Sequence, residues 1–78
     1  MVLTITRYLD VSPATATARL ATATAAAQAP ADAEIHIDGI DRLATLRVVV
    51  PWSTEGREAT ALAADRFATA LTDELVAA

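Results

Sequence analysis

Two runs of alternating apolar and polar residues lie close together in the middle of this 78-residue chain. The first covers residues 34–38 and the second residues 44–50, with Asp38-Gly39-Ile40-Asp41 between them. Alternation with a period of two is typical of a strand with one buried face, and Asp and Gly are typical turn residues. The pattern predicts a β-hairpin, which Pro51-Trp52-Ser53 ends before an amphipathic helix begins.

The length of the hairpin loop decides which side chains share a face. The large apolar residues occupy odd positions in the first run and even positions in the second, namely Ile35, Ile37, Leu46, Val48 and Val50. A loop with an even number of residues places odd positions opposite even ones and so unites the two sets. We therefore predict a two-residue turn at Asp38-Gly39 or a four-residue loop over 38–41. A three-residue loop would place Thr45 and Arg47 opposite the isoleucines.

A strand and a helix are predicted before the hairpin. Residues 2–9 alternate in the manner of a strand, with Leu3 and Ile5 on one face. Ser12-Pro13 is a favourable helix start, because serine supplies a capping acceptor and proline suits the first helical position. The helix should run from Pro13 to about Gln28 and end before Pro30. Because alanine and threonine dominate this segment, a weakly ordered arm is the alternative.

A second helix is predicted to start near Ser53 or Thr54, where Glu55 and Glu58 would lie close to the positive end of its dipole. Apolar residues then recur at helical spacing and predict the core-facing side: Ala59, Leu62, Ala63, Phe67, Leu71 and Leu75.

These elements predict one α+β domain over residues 1–78, in the order β-α-β-β-α. A crossover through the first helix would make strands one and three parallel neighbours, and the hairpin would add strand two outside strand three. The expected fold is a three-stranded mixed sheet in the order 1-3-2, with both helices on one face. It resembles a ferredoxin-like sandwich lacking its last strand. This leaves a free edge on strand one, where Arg7 is the only charge, and we expect a homodimer through that edge or through the open sheet face.

The composition argues against several kinds of chemistry. The chain has no cysteine, which excludes disulfides and thiolate chemistry and fits a cytoplasmic location. It has no lysine, which excludes Schiff-base chemistry. The net charge is -4 and the arginines are dispersed, so we expect no direct binding of nucleic acid. No apolar run approaches the ~20 residues of a membrane span. We expect no cofactor, no metal ion, no membrane contact and no catalytic residue.

His36 is the one histidine, and two interpretations of it are possible. Its position between Ile35 and Ile37 predicts that it faces away from the core. Glu34 and Asp38 share that face, but about 6–7 Å along the strand is too far for a fixed catalytic dyad. We favour a solvent or interface histidine over a catalytic one. Likewise, Asp38 and Asp41 suit a turn better than a calcium loop, which needs six or more oxygen ligands.

The candidate contacts with a partner are Tyr8, His36, Arg47, Val49 and Trp52. Trp52 either packs beneath the incoming helix or serves as an exposed interface anchor, and the same alternatives apply to Tyr8. The uncovered sheet face should combine apolar and polar residues, as partner surfaces do: Val2, Thr4, Thr6, His36, Leu43, Thr45, Arg47 and Val49.

The leading hypothesis is a small non-enzymatic protein–protein interaction or assembly module that forms a homodimer and binds another protein. One alternative is a small-ligand-binding regulatory domain of ferredoxin-like type, with the ligand at the dimer seam. Another is an acidic phage-type accessory or inhibitor protein whose Asp32, Glu34, Asp38 and Asp41 occlude a basic site. The run 48–53 and the helix after it are similar in hydrophobic pattern to the closing strand and helix of some phage tail-completion proteins.

Overall fold

The computed structural model describes residues 2–30, 32–40, 42–52 and 54–77, so Asp41 and Ser53 lie outside the described residues. The elements follow the predicted order β-α-β-β-α and are β1 (Val2–Tyr8), α1 (Pro13–Ala27), β2 (Glu34–Ile40), β3 (Leu43–Pro51) and α2 (Arg57–Val76). None of the described helices is both long and apolar enough to cross a membrane.

The sheet has the predicted strand order β1-β3-β2, but the strand directions differ from the prediction. β3 is antiparallel to both of its neighbours, so the expected parallel pairing of β1 with β3, and with it the mixed sheet, is wrong. The crossover through α1 instead connects β1 to β2. These two strands run parallel to each other with a gap between them, and the hairpin returns β3 into that gap. The arrangement is that of a ferredoxin-like sandwich without its last strand.

The hairpin loop is even in length, as predicted, but it lies further along the chain. Ile40 pairs with Leu43, which leaves a two-residue loop at 41–42. The turn expected at Asp38-Gly39, or over 38–41, is therefore wrong, because both Asp38 and Gly39 lie within β2. Extending the strands through Ile40 adds backbone pairing without changing which side chains share a face, so the longer hairpin satisfies the same apolar pattern.

Glycine is needed at position 39 because the start of α1 lies close to the β2 backbone there, and not because the chain turns. Among the described glycines, Gly56 has a positive φ, of 106°. A Cβ at position 39 would overlap Cγ of Pro13 and lie 3.0 Å from Cβ of Pro13. The backbone of β2 thus lies against the proline ring that begins α1, and only glycine leaves room for it.

Helix α1 forms as predicted. The Ser12 hydroxyl accepts a hydrogen bond from the Thr15 backbone N–H at 3.2 Å, which caps the helix, and Gln28 ends it in the left-handed conformation. The predicted apolar face turns inward: two of its alanines are buried, and the other two residues pack partly buried against the core. Its members are Ala16, Leu20, Ala23 and Ala27. The alanines let the helix lie close to its neighbours.

Helix α2 begins later than predicted and presents a slightly different face. It starts at Arg57 after Gly56, not at Ser53 or Thr54. Its buried residues are Thr60, Ala64, Phe67, Ala68, Leu71 and Leu75. Ala63 is exposed and Leu62 is 52% exposed, so their predicted core positions are wrong. Thr60 can be buried because its hydroxyl donates to the Gly56 carbonyl at 2.9 Å, which satisfies the polar group.

The core lies between the sheet and the two helices. Its fully buried large side chains come from the residue that follows β1, from the central strand and from α2: Leu9, Leu46, Val48, Leu71 and Leu75. Leu3, Ile5, Ile35 and Ile37 pack against them partly buried. The alternating pattern of the sequence therefore assigns the buried sheet face correctly.

Arg19 connects the middle of α1 to the end of α2. Its Nη1 donates to the carbonyls of Leu75 at 2.9 Å and Ala77 at 2.6 Å. The last carbonyls of a helix lack partners within the helix and carry partial negative charge. Helix α2 has no basic residue in its last turn. The guanidinium of the neighbouring helix supplies the missing C-terminal cap.

We expect Arg19→Gln to lower the free energy of unfolding by about 1–3 kcal/mol, because hydrogen bonds from a charged donor are worth that much. Arg66→Gln makes the same chemical change on the exposed side of α2 and should cost less than about 0.5 kcal/mol. Urea unfolding followed by circular dichroism, at one protein concentration, measures both. Equal midpoints for the two variants would contradict a capping role for Arg19.

Candidate functional site

One face of the sheet is not covered by either helix, and we call it the open face. Its described side chains are exposed or partly buried and include the set predicted from the sequence. They are Val2, Thr4, Thr6, Tyr8, Glu34, His36, Asp38, Leu43, Thr45, Arg47 and Val49. Glu34 and Asp38 were predicted to share the face of His36, and Tyr8 lies on the same face.

The register places the candidate contact residues in neighbouring rows across the open face. In the order β1, β3, β2 these rows are Thr4–Val49–Glu34, Thr6–Arg47–His36 and Tyr8–Thr45–Asp38. Four of the five candidates, Tyr8, His36, Arg47 and Val49, therefore belong to one surface. His36 and Arg47 lie directly opposite each other at its centre.

The ionisable groups of the open face form loose pairs. His36 Nε2 lies 3.7 Å from Glu34 Oε2, and Arg47 Nη2 lies 3.9 Å from Asp38 Oδ2. Both separations exceed hydrogen-bond length, and exposed pairs of this kind contribute at most about 1 kcal/mol. Among the described residues, no three histidine or acidic side chains come together as a metal site would require. The open face is therefore a polar surface whose ionisable groups are only loosely paired.

Large apolar side chains are also exposed on this face. Tyr8 is 84% exposed, Val2 is 54% exposed and Leu43 is 52% exposed. Val2 and Tyr8 lie at opposite ends of β1, and Leu43 begins β3. Aromatic and apolar groups of this kind are favoured at protein–protein contacts when they become buried.

The outer edge of β1 is free in the sheet that the described residues form. β1 has β3 on one side and is the terminal strand on the other. Its one charged residue, Arg7, is bound to Asp65 of α2, with Nη2 2.6 Å from Oδ1. The opposite edge strand, β2, instead carries Glu34, His36 and Asp38. Charged side chains protect strand edges from pairing, so β1 is the less protected of the two edges.

Trp52 lies apart from the four open-face candidates, at the junction between β3 and α2. The guanidinium of Arg57, the first residue of α2, lies 5.2 Å from the centre of its ring. The indole Nε1 is enclosed and has no hydrogen-bond partner among the described residues. The side chain is partly buried. The partly buried ring thus makes a cation–π contact with the first residue of α2.

Two adjoining depressions lie along α2, the first beside the end of β3 and the second beside the end of α1, and both are bordered by Pro30 and Ala63. The first measures about 220 Å³ and also contacts Val50, Pro51, Glu55, Ala59 and Thr60. The second measures about 470 Å³ and also contacts Ala27, Gln28, Arg66, Phe67 and Ala70. Sequence reasoning missed this concavity because it placed Ala63 in the core. In the sequence, the four-residue spacing of Thr60, Ala64 and Ala68 is the pattern that predicts the buried face of α2 correctly.

No family model matches this chain, and comparison with curated proteins and with solved structures gives no significant match.

Proposed function

We propose that this chain is a small non-enzymatic protein–protein interaction or assembly module that forms a homodimer and binds another protein. The observation that carries the proposal is the free edge of β1, whose single charge is already engaged with α2. Such an edge presents unpaired backbone groups and readily accepts another strand. The adjoining open face supplies the second surface, with Tyr8, His36, Arg47 and Val49 as its contact residues.

The size of the domain supports association. A chain of this length buries only about 60% of the surface that it exposes when unfolded, so its stability is marginal without further burial. Covering the edge or the open face adds buried apolar surface at Val2, Tyr8 or Leu43. The absence of cysteine fits a cytoplasmic setting for such a module.

We expect light scattering to give a mass of twice the 8.1 kDa of the chain, with a mixed helix and strand signal by circular dichroism. The mass should stay constant over a concentration series from micromolar upward, because edge pairing or face burial gives a closed two-fold dimer. A folded protein with the mass of one chain at every concentration would remove the homodimer from the proposal.

Charge reversal at the centre of the open face separates the two possible dimer surfaces. Arg47→Glu places a third carboxylate beside Glu34 and Asp38, so it should dissociate a dimer packed through that face. The same variant should leave a dimer formed by the edge of β1 intact. Arg66→Glu is the matched control on the exposed side of α2.

The two alternative functions, a ligand-binding regulatory domain and an acidic inhibitor, receive less support. A ligand site at the dimer seam needs a concavity with convergent polar groups, but no described residue of β1 borders either depression. For an acidic inhibitor, Glu34 and Asp38 would have to act as a concentrated negative surface. Asp38 lies within 4 Å of a nitrogen of Arg47, whose positive charge interrupts that surface.

A further inference from the structure

We propose that two copies of β1 pair in antiparallel fashion about a two-fold axis at Ile5, which joins the two sheets into one of six strands. This inference rests on the proposed homodimer and specifies its seam. It is carried by the self-complementarity of β1 in one register. An isologous contact of this kind closes on itself as a dimer, whereas pairing β1 with the β2 edge of another copy would be head-to-tail and would form a ring or an open filament.

The register follows from the length and the two faces of the strand. β1 has seven residues, Val2–Tyr8, and its even-numbered residues lie on the open face. A two-fold axis normal to the sheet reverses the strand direction and keeps both pairs of helices on the same side. Pairing must then match even positions with even positions. Centring on Ile5 is the arrangement that does so while using all seven residues of both strands.

The charges of β1 are compatible with this register. Arg7 lies opposite the partner's Leu3, and the two Arg7 side chains are separated by four positions, or about 13 Å along the strand. Parallel pairing would instead place Arg7 directly opposite the partner's Arg7, which is unfavourable. Asp65 already balances each Arg7 at 2.6 Å. Antiparallel pairing therefore introduces no unbalanced like-charge contact.

The exposed apolar residues of β1 become neighbours in the same register. Val2 lies opposite the partner's Tyr8, and this happens twice because of the symmetry. These are the two large apolar side chains that β1 exposes, at 54% and 84%. Aromatic and β-branched side chains are favourable cross-strand partners. In addition, Thr4 lies opposite the partner's Thr6, a pair that can hydrogen-bond.

Helix α2 continues the contact on the other side of the sheet. The bond between Arg7 and Asp65 shows that α2 lies over β1. Leu62 precedes Asp65 by three positions and so shares its side of the helix, and it is 52% exposed. Joining the two edges brings this flank of α2 towards the same flank of the partner's α2. The pairing thus accounts for the exposure of Val2, Tyr8 and Leu62 together.

The chain has no cysteine, so introduced thiols can test the register directly. Val2→Cys and Tyr8→Cys are prepared as separate proteins, unfolded in urea, mixed in equal amounts, refolded and treated with diamide. In the mixture, Cβ atoms of directly opposite residues lie about 4.5–5.5 Å apart, close to the range that a disulfide requires. We expect about half of the chains to become cross-linked. Each variant alone separates its thiols by about 20 Å and should give none.

Light scattering on the same samples makes every outcome decisive. Thr4→Cys mixed with Thr6→Cys is a second pair that keeps Val2 and Tyr8, and it should also cross-link. Cross-linking that depends on mixing supports the seam. If the mass is that of a dimer but neither mixture cross-links, the proposed β1 seam is wrong and the dimer forms through the open face. The same conclusion follows if the separate variants cross-link as much as the mixtures. The mass of one chain for the unsubstituted protein overturns the seam and the homodimer together.

Discussion

Leu46→Ala is expected to lower the free energy of unfolding by about 2–5 kcal/mol, the usual cost of emptying a buried leucine site. Leu46 lies on the central strand and is completely buried. Typical stabilities of roughly 0.05–0.15 kcal/mol per residue leave a chain of this size little reserve. The variant should therefore be largely unfolded at temperatures where the unsubstituted protein is folded. Thermal and urea unfolding by circular dichroism measure the effect.

Leu43→Ala is the matched control for Leu46→Ala, because the two leucines share β3 but not its environment. Leu43 is 52% exposed on the open face, so its truncation should cost less than about 1 kcal/mol. Both variants are compared at one protein concentration, since association adds to apparent stability. If the two truncations cost the same, the assignment of the buried and open faces is wrong.

Gly39→Ala is expected to destabilise the protein by about 1–3 kcal/mol, although the same change in an ordinary strand would stabilise it. Alanine normally gains about 0.5–1 kcal/mol over glycine within a strand, because glycine loses more conformational freedom. At position 39 the added Cβ would overlap the ring of Pro13, and relieving the overlap requires a shift of the β2 backbone or of the start of α1. The sign of the change in urea midpoint is therefore diagnostic.

A double-mutant cycle tests the cause of the Gly39→Ala effect. Pro13→Ala removes the obstructing ring atoms, so adding Gly39→Ala to that variant should cost little. The expected coupling between positions 13 and 39 is favourable and exceeds the ~0.5 kcal/mol typical of independent sites. Additive costs would show that Gly39 is needed for a reason unrelated to Pro13.

The buried and open faces of the sheet were predictable because they depend on a local property. Side chains alternate along a strand, so the positions of Ile35, Ile37, Leu46 and Val48 already separate the two faces. The same alternation of odd and even positions excluded a hairpin loop with an odd number of residues. Ser12 and Pro13 likewise fixed the start of α1, because capping depends on neighbouring residues. The open-face residues among the candidate contacts follow from this alternation.

Features that depend on distant contacts were not predictable in the same way. Gly39 resembles a turn residue in the sequence, and its role appears only when α1 places Pro13 against β2. The direction of β3 relative to β1 depends on the hairpin entering the gap left by the crossover. The buried face of α2 includes Thr60, whose hydroxyl is satisfied by a hydrogen bond to the Gly56 carbonyl. Each error involves a contact formed by the assembled fold.

The contact made by Arg19 also has a consequence for local opening. Helix ends usually fray, because their terminal hydrogen bonds are exposed and weakly held. At the end of α2, fraying must break bonds to a side chain that lies 56 positions earlier in the chain, in the middle of α1. We therefore expect the last turn of α2 and the middle of α1 to open together as one cooperative unit, although an alanine- and threonine-rich helix alone would be only marginally stable.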